Sequence, residues 1–399
     1  MLMKILIVNP GGLPVPAVKG GAVQTLVDTI IKENDKKNKC ELFSITPFDD
    51  NAFEESKKYK KTKFIFFKVP RFYLLMDKII YKLASLFSSH PQSYGRILKS
   101  IYYIRFLKKL LKSNNFDKVI FEHNLLLLLS LNGRKNFNKY KDKYILHIHN
   151  KIRTIKPVKK YITNCKKIFT VSNYMKNYLV NETPYNIKLE NVEVLYNCID
   201  LNLFNPNNRG KLDFMNKLNN DKIKLLFTGR LNKEKGLFEV LESFKKLDNN
   251  KYQLIIVGGL FYSSNNGKKS ENKIMHNYKN YIDNNSIVFT GFIDYKFMPF
   301  IYNIADLVIL PSIWDEPAGL AMLEAACCHK KIITTNSGGI PEYVSRCAVV
   351  LEKETISSTL TNAIINSNFS DLDFSFVNKF NSENYYMNFI KFVGGDNND

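Results

Sequence analysis

Short apolar runs recur along the chain, and segments with helical spacing of apolar positions follow several of them. The first run, residues 3–8, precedes an amphipathic pattern at Val23, Leu26, Val27, Ile30 and Ile31, which are spaced as on one face of a helix. Similar runs lie at residues 42–45, 64–69, 119–121, 144–148, 168–171, 225–228, 254–257, 287–290, 307–310, 332–335 and 349–351. Alternating strand and helix patterns predict an α/β protein built on parallel sheets.

The run at residues 307–310 leads into the turn that carries the most residues suited to ligand binding. It stops at Pro311, and after a polar loop Pro317 is predicted to open a helix, because proline has no amide hydrogen to lose in the first turn. Glu316 then lies beside the helix start, and Glu324 about two turns inside the helix. Free amides at a helix start suit phosphate, so this turn is a candidate anion site.

Two other strand-to-helix turns carry residues suited to phosphate. Arg230 follows the run at residues 225–228 and can contact two phosphate oxygens at once, and Lys235 adds a point charge just before the next helix. After the first strand, Gly20 and Gly21 allow a ligand to approach the backbone closely, because glycine has no side chain. Each feature is also common in purely structural turns, so alone each is weak evidence.

The length of 399 residues is too great for one ordinary core and predicts two α/β domains. The N-terminus has no signal-peptide pattern, and the most apolar run, residues 125–131, is too short to span a bilayer. The six cysteines have no metal-ligand spacing and are predicted to be core residues in a reducing compartment. We therefore expect a cytoplasmic protein.

The net charge of +21 is unevenly distributed. Between Lys57 and Lys112 there are fifteen Lys or Arg residues against a single acid, Asp77, with aromatic residues interleaved. Three interpretations remain open for this basic region: a solvated face, peripheral attachment to an anionic membrane, or nucleic-acid binding. The last is the least favoured, because no recognised nucleic-acid module is present. The predicted partners accordingly include an anionic membrane surface and no nucleic acid.

The spacing of Glu316 and Glu324 resembles the Glu-x7-Glu signature of retaining nucleotide-sugar glycosyltransferases of family 4. The following strand, glycine turn and helix start at residues 332–342 are equally typical of that family. The resemblance covers nearly the whole chain and is strongest over residues 225–343. It implies the GT-B fold, in which two Rossmann-like domains face each other across a cleft.

Within the family, residues 13–22, 314–317 and 258–269 are similar to two branches. One comprises the lipopolysaccharide-core N-acetylglucosaminyltransferases and the other the spore-coat-associated transferases. The sequence departs from the family at Cys198, where glycine is usual, and at residues 345–348, which replace a glycine-containing loop.

The resemblance implies a division of the chain into an acceptor-side Rossmann-like domain at 1–203, a linker at 204–222 and a nucleotide-sugar-binding domain at 223–376. Residues 377–393 would form a last helix that returns to the N-terminal domain, and 394–399 a disordered tail. A mobile loop is expected at residues 265–269.

The resemblance also implies roles for individual residues. Glu324 would hold the ribose hydroxyls, Glu316 the hydroxyls of the donor sugar, and the backbone near Ile293 the base. The diphosphate would meet the amides of Gly319 and Leu320 together with Arg230 and Lys235, which would take the place of a metal ion.

In the N-terminal half, Gly20 and Gly21 match the family's first phosphate loop. His149 would lie near the reacting sugar, and His147, two residues earlier on the same face, is the alternative. The catalytic set is then His149, Glu316, Arg230 and Lys235, with no metal and no cofactor.

The function implied is retaining transfer of a hexose or N-acetylhexosamine, N-acetylglucosamine favoured, from a UDP-sugar to a cell-surface glycan. The acceptor would be a lipopolysaccharide core or a capsular or lipid-linked oligosaccharide, and the enzyme would be cytoplasmic or peripheral on the inner face of the membrane. The main alternative is a catalytically idle GT-B scaffold or coat protein.

Overall fold

The structure, a computed structural model, describes residues 2–87, 95–152, 155–259 and 276–394. It divides the chain into two compact units, Met1–Tyr196 with Ser382–Asp399 and Asn197–Asn381. The loop predicted at residues 265–269, residues 88–94 of the basic region and residues 395–399 of the predicted tail lie outside the described residues.

The first unit is built on a seven-stranded parallel sheet with the strand order β3-β2-β1-β4-β5-β6-β7. Its strands are β1 (Lys4–Val8), β2 (Glu41–Pro47), β3 (Thr62–Phe67), β4 (Lys118–Glu122), β5 (Tyr144–Ile148), β6 (Ile168–Thr170) and β7 (Val192–Val194). The helices that follow them are α1 (Ala22–Lys37), α2 (Asp50–Ser56), α3 (Arg71–Phe87), α4 (Ile97–Ser113), α5 (Arg134–Tyr140), α6 (Lys159–Thr163) and α7 (Asn173–Asn181).

The second unit repeats the architecture with a six-stranded parallel sheet in the order β10-β9-β8-β11-β12-β13. Its strands are β8 (Ile223–Thr228), β9 (Tyr252–Val257), β10 (Ile287–Gly291), β11 (Leu307–Leu310), β12 (Lys331–Thr335) and β13 (Val349–Leu351). Its helices are α8 (Leu237–Phe244), α9 (Lys279–Asp283), α10 (Met298–Ile304), α11 (Leu320–Cys327), α12 (Ile340–Val344) and α13 (Ile356–Asn366).

The central strands of both sheets, such as β1, β5, β9 and β11, are buried on both faces, which is why they are continuous apolar runs rather than alternating patterns. In the second unit every residue of β9 and β11 is buried. Positions two apart share a face of a strand, and one face packs against α8 and α13. This core contains Leu225, Phe227, Leu254, Ile256, Leu307 and Ile309 from the strands and Leu237, Val240, Leu241, Phe244, Ile356 and Leu360 from the two helices.

The strand order reverses between β1 and β4 in the first unit and between β8 and β11 in the second. Ligands of open α/β sheets bind beyond the carboxyl ends of the strands at such a switch point. In the first unit Val8, near the end of β1, lies level with Phe121 of β4, so the loops after these strands begin side by side. By the same rule, a ligand site in the second unit is expected at the loops after β8 and β11.

A final helix, α14 (Ser382–Val393), belongs to the first unit although it follows the second in sequence. It packs on α1, where the Tyr386 hydroxyl donates to Asn34 at 2.6 Å and Lys37 pairs with Glu383 at 2.6 Å. Residues 377–381 belong to the second unit, as do the residues 204–222 that the sequence assigns to a linker.

The basic region contains β3 and the helices α3 and α4, which pack against each other. Asp77, the single acid of the region, is buried in α3, and its carboxylate accepts the backbone N–H groups of Leu98 at 2.8 Å and Lys99 at 2.9 Å. A carboxylate in this position caps the start of α4. Across the described residues, no helix combines the length and the apolarity needed to cross a membrane.

Candidate active site

A pocket lies at the switch point of the second sheet. Its walls come from the end of β8 and the turn after it, from the loop after β11, and from the first turn of α11. The lining residues are Thr228, Lys235, Leu310, Ser312, Glu316, Gly319, Leu320, Ala321 and Met322. Four of the residues singled out from the sequence, namely Lys235, Glu316, Gly319 and Leu320, therefore share one opening.

The loop after β11 is fixed by backbone contacts to two neighbouring loops. The N–H groups of Ile313 and Trp314 donate to the carbonyl of Glu234 at 2.9 and 3.0 Å, and Gly339 donates to the carbonyl of Glu316 at 2.7 Å. Gly338 has a φ of +63°, and a Cβ there would lie 2.4 Å from the Glu316 carbonyl oxygen. Only glycine fits this approach, so the glycine turn after β12 holds Glu316 in place.

The helix after this loop begins later than the sequence predicts. Pro317 does not open it: the first helical residue is Leu320, and Gly319 before it has a left-handed φ of +81°. Glu316 and Pro317 are held outside the helix by the contacts to the glycine turn. Consequently Glu324 lies little more than one turn inside α11, not two.

Lys235 and Glu316 form an ion pair inside the pocket. The hydroxyl of Ser312 donates to the same carboxylate oxygen, Oε1, at 2.9 Å. Glu316 is buried, and Lys235 is half-buried. The pocket thus presents one cation and one anion that neutralise each other, and an anionic ligand must compete with Glu316 for Lys235.

Glu324 lies beside this pocket in a different environment. It is buried, and its Oε2 accepts a hydrogen bond from the hydroxyl of Tyr302 at 2.8 Å. That hydroxyl lies 3.3 Å from the hydroxyl oxygen of Thr228, which lines the pocket. Burial raises the pKa of Glu324 to about 7, against the opposing effect of hydrogen bonds from Tyr302 and Tyr295. Glu324 is therefore a carboxyl group that changes charge near neutral pH.

Two other predicted donor-binding residues of this unit do not line the pocket. Arg230 follows β8 with an exposed side chain, and its guanidinium lies 3.7 Å from the carboxylate of Glu234. Ile293 follows β10, the edge strand of the sheet, and is half-buried.

The first unit holds a separate polar cluster at the ends of β4 and β5. Glu122 ends β4, His147 lies within β5, and His149 follows it. Glu122 Oε2 lies 2.7 Å from His149 Nε2 and 3.0 Å from His147 Nδ1. The ring centroids of the two histidines are 3.9 Å apart. Of the two histidines, His147 is completely buried, and only His149 has an exposed edge.

The cluster is also the one group of at least three possible metal-ligating side chains found in the part of the chain that the structure describes. The ligand atoms of Glu122, His147 and His149 lie within 4.8 Å of one another. Two of these separations, 2.7 and 3.0 Å, are ordinary hydrogen-bond distances.

Gly20 and Gly21 precede α1 in the same unit. Both have positive φ, +68° and +100°, and Gly21 is the N-cap of α1. A Cβ on Gly20 would meet no atom within 4 Å, so this turn is open on one side.

Several residues of these sites are not candidates from the sequence alone. Ser312 and Thr228 carry hydroxyls at strand ends, and Tyr302 comes from α10, which has no binding motif. Glu122 could have been found, because it ends a strand next to the switch point, where polar side chains face ligands.

Two family models match complementary parts of the chain. The model described as "Glycosyltransferase Family 4" matches residues 23–203, and the model described as "Glycosyl transferases group 1" matches residues 208–365. Together the two matched domains show that the chain belongs to the glycosyltransferases of the group 1 and family 4 type. The prediction from the Glu-x7-Glu spacing is confirmed at this level.

Relatives with curated names point the same way. The chain is 26% identical to the putative glycosyltransferase YtcC of Bacillus subtilis (strain 168), over 91% of this glycosyltransferase and 82% of that protein. It is 28% identical to the lipopolysaccharide 1,2-N-acetylglucosaminetransferase of Salmonella typhimurium over 57% of each. It is 23% identical to spore coat protein SA of Bacillus subtilis (strain 168) over 86% of this chain and 83% of that protein.

Solved structures show the fold. A glycosyltransferase from Rickettsia africae superposes over the full length of both chains with a TM-score of 0.70 at 18% identity. Anabaena Alr3699/HepE, solved in complex with UDP and glucose, superposes over 98% of both chains with a TM-score of 0.66 at 16% identity. The glycosyltransferase therefore has the GT-B fold with two Rossmann-like domains, as predicted.

Proposed function

We propose that the protein is a retaining hexosyltransferase that uses a UDP-sugar and modifies a cell-surface glycan. The sugar is a hexose or an N-acetylhexosamine, with N-acetylglucosamine favoured, and the acceptor is a lipopolysaccharide core or a capsular or lipid-linked oligosaccharide. The names of the Anabaena complex with UDP and glucose and of the Salmonella transferase support this choice. The observation that carries the proposal is the pocket where Lys235, Glu316 and the start of α11 share one opening.

In this proposal the diphosphate binds at the start of α11. The amides of Gly319 and Leu320 and the cations of Lys235 and Arg230 contact its oxygens. Negative charge grows on the diphosphate as the sugar leaves, and cations already in position stabilise that charge more than they stabilise the bound donor. The proposal assigns this role to side chains in place of a metal ion, and it includes no cofactor.

The two glutamates bind the rest of the donor. Glu324 accepts hydrogen bonds from the ribose hydroxyls, and the backbone at Ile293 contacts the base. Glu316 accepts hydrogen bonds from hydroxyls of the transferred sugar. The proximity of Glu316 to Lys235 supports this arrangement, because the sugar and the diphosphate are adjacent in the donor.

In the first unit, His149 contacts the reacting sugar and Gly20 and Gly21 contact phosphate. The burial of the two histidines favours His149 over His147, because the His147 ring is enclosed and its Nδ1 faces Glu122. The open side of Gly20 supports a close approach of ligand to that turn.

We also propose that α3 places the enzyme on the cytoplasmic face of an anionic membrane. Phe72, Leu75, Ile79 and Leu83 lie three or four residues apart on one side of α3 and are 43% to 66% exposed. Helices with an exposed apolar stripe beside basic residues lie in the membrane interface. The basic side chains of α3 are exposed as well, at Arg71, Lys78 and Lys82.

Thermal-shift screening with UDP, GDP and ADP tests the donor. UDP is expected to stabilise the protein, by about 2.7 kcal/mol at a hundredfold excess over its Kd, and GDP or ADP to stabilise it less. Lys235→Ala should weaken the UDP effect and slow UDP release from UDP-sugar, whereas Lys233→Ala, on an exposed neighbour in the same turn, should change neither. A preference for GDP or ADP would refute the choice of donor.

The 23% identity to spore coat protein SA favours one second candidate, a catalytically idle GT-B scaffold or coat protein. Such a protein would release no UDP from any UDP-sugar. It would also show the same behaviour with and without the Lys235 side chain, whereas the proposed enzyme would not.

A further inference from the structure

Glu122 is placed so that its carboxylate serves two histidines. Its Oε2 lies 2.7 Å from His149 Nε2, and its Oε1 lies 3.3 Å from His147 Nδ1, which is also 3.0 Å from Oε2. All three side chains are at least nine-tenths buried, so water does not compete for these contacts. The backbone N–H of His149 donates to His123 Nδ1 at 3.3 Å, which holds the start of the loop after β5.

An ionised carboxylate only accepts hydrogen bonds, so each ring nitrogen that faces it must carry a proton. In a neutral imidazole the other nitrogen then has the lone pair. His149 is thereby fixed with its proton on Nε2 and its lone pair on Nδ1. His147 faces the same carboxylate with Nδ1, and its buried Nε2 has no hydrogen-bond partner among the described residues.

The charge states of Glu122 and His149 agree with this placement of the proton on His149. Burial alone would raise the pKa of Glu122, but the attraction of His147 and hydrogen bonds from His147 and His149 outweigh it and lower the pKa to about 2. Burial and the neighbouring His147 and His123 lower the pKa of His149 to about 4, against the pull of Glu122. At neutral pH Glu122 is therefore ionised and His149 is neutral.

We propose that Glu122 is a positioning residue that fixes the tautomer of His149, so that Nδ1 of His149 accepts a hydrogen bond from a substrate hydroxyl. The identity of that hydroxyl, on a sugar, rests on the proposed function. The tautomer itself does not, because it follows from contacts within the first unit.

The competing reading is a divalent cation held by Glu122, His147 and His149. A zinc ion would require all three ligand atoms at about 2.0–2.2 Å from one point. Ligand atoms around such an ion lie more than 3 Å apart in a tetrahedral site, whereas Glu122 is in hydrogen-bond contact with both rings. The hydrogen-bonded arrangement therefore accounts for the observed distances, and the cation becomes an outcome of the test.

The first experiment reads the tautomer directly in the unliganded full-length protein. With ¹⁵N-labelled histidine, NMR correlations between ring nitrogens and ring carbon protons distinguish Nε2–H from Nδ1–H, and loss of one signal set in His149→Gln assigns it. We expect neutral, Nε2-protonated His149 from pH 6 to 8. The opposite tautomer, or a mixture of the two, would overturn the proposal, as would displacement of the ring signals by one equivalent of Zn²⁺.

Glu122→Leu is the sharpest variant, because it removes both acceptor oxygens, whereas a glutamine could still turn its carbonyl oxygen toward His149. The His149 signals should then lose the single tautomer. Glu33→Leu, at a buried acid of α1 paired with Lys36, is the matched control and should leave the ring signals unchanged.

Kinetics then separate positioning from folding. In Glu122→Leu, assayed well below its own melting temperature, we expect kcat to fall roughly 10- to 100-fold, the usual effect of removing a residue that orients another. In a His149→Gln background the same change should add little, because its effect passes through His149. If the two variants instead lowered kcat independently, so that their effects added fully in the double variant, Glu122 would not act through His149 and the positioning role would be refuted. If no turnover is found with any donor, the proposed function is refuted. The NMR experiment still tests the tautomer of His149, because it does not depend on activity.

Discussion

Glu324 provides a quantitative test of the nucleotide site, because its pKa of about 7 makes its charge depend on pH in the range where the protein is handled. Ribose hydroxyls donate hydrogen bonds to an ionised carboxylate more strongly than to a protonated carboxyl group. UDP should therefore bind the form in which Glu324 is ionised. About a tenth of Glu324 is ionised at pH 6 and about nine-tenths at pH 8, so the apparent affinity should be roughly tenfold lower at pH 6.

Isothermal titration calorimetry with UDP between pH 6 and pH 8.5 measures this effect. The terminal phosphate of UDP itself titrates near pH 6, so the contribution of Glu324 is the difference between the wild-type protein and Glu324→Gln. The variant should bind UDP weakly and with the pH dependence of the ligand alone. Parallel curves for the two proteins would show that Glu324 does not meet the ribose as an anion.

Glu324 should also make the stability of the fold depend on pH, and in the direction opposite to its effect on UDP affinity. Its pKa of about 7 in the folded state lies above the ordinary glutamate value of 4.5, so the folded state binds more protons between these pH values and stability falls as the pH rises through them. The full difference corresponds to about 3 kcal/mol, present below pH 4.5 and lost above pH 7. Glu324→Gln should remove this part of the pH dependence in urea unfolding.

Tyr302→Phe refines the test, since it removes a donor to the Glu324 carboxylate at 2.8 Å. A hydrogen bond to a charged group contributes about 1.5–3 kcal/mol, so the midpoint of UDP binding should move one to two pH units upward. An unchanged midpoint would mean that the Tyr302 hydroxyl does not stabilise the ionised form.

Three further changes test other parts of the structure. Gly338→Ala should destabilise the fold by about 1–3 kcal/mol in urea unfolding, because the new Cβ would lie 2.4 Å from the Glu316 carbonyl oxygen. Gly12→Ala is the control, because a Cβ on Gly12 would have no atom within 4 Å. Equal destabilisation by the two substitutions would contradict the reasoning. Combined Phe72→Ser, Leu75→Ser and Leu83→Ser should lower binding to anionic vesicles at least tenfold, because burying each apolar side chain contributes about 1.5–3 kcal/mol, whereas Leu189→Ser, exposed elsewhere in the same unit, should not. Equal vesicle binding by the triple variant and by Leu189→Ser would refute membrane binding through α3. Glu316→Gln should slow sugar transfer without weakening UDP binding, which calorimetry and a UDP-release assay measure separately.

The fold was predictable because its signals are local. Apolar runs such as residues 307–310 and 254–257 indicate strands buried on both faces, and the turns after them carry the glycines and charges of the site. The start of α11 was wrongly predicted, because the preference of proline for a first helical turn is weaker than the contacts that hold Pro317 and Glu316 to the glycine turn. Such contacts join residues distant in sequence, and no local pattern encodes them.

The environments of the charged residues were less predictable for the same reason. The sequence marks Lys235 and Glu316 as separate contacts to a ligand, whereas the structure pairs them with each other, 81 residues apart. Tyr302 lies in an ordinary helix pattern, and only the packing of α10 beside α11 brings its hydroxyl to Glu324. The exposure of α3 is equally invisible in sequence, because an apolar stripe predicts a buried face and only the structure shows whether another element covers it.

The two glutamates of the Glu-x7-Glu pair therefore have different physical roles despite their identical chemistry. Glu316 is compensated by Lys235 and Ser312, so replacing it by glutamine removes the competitor that the diphosphate must displace from Lys235. UDP affinity should then hold or rise while transfer falls, since the sugar loses its acceptor of hydrogen bonds. Among the described residues, the hydrogen-bond donors to Glu324 are the hydroxyls of Tyr302 and Tyr295 and include no cation. Replacing Glu324 therefore removes an acceptor for the ribose, and UDP affinity should fall. Opposite signs of the change in UDP affinity in the two variants would separate the sugar contact from the nucleoside contact, and equal signs would show that one of these assignments is wrong.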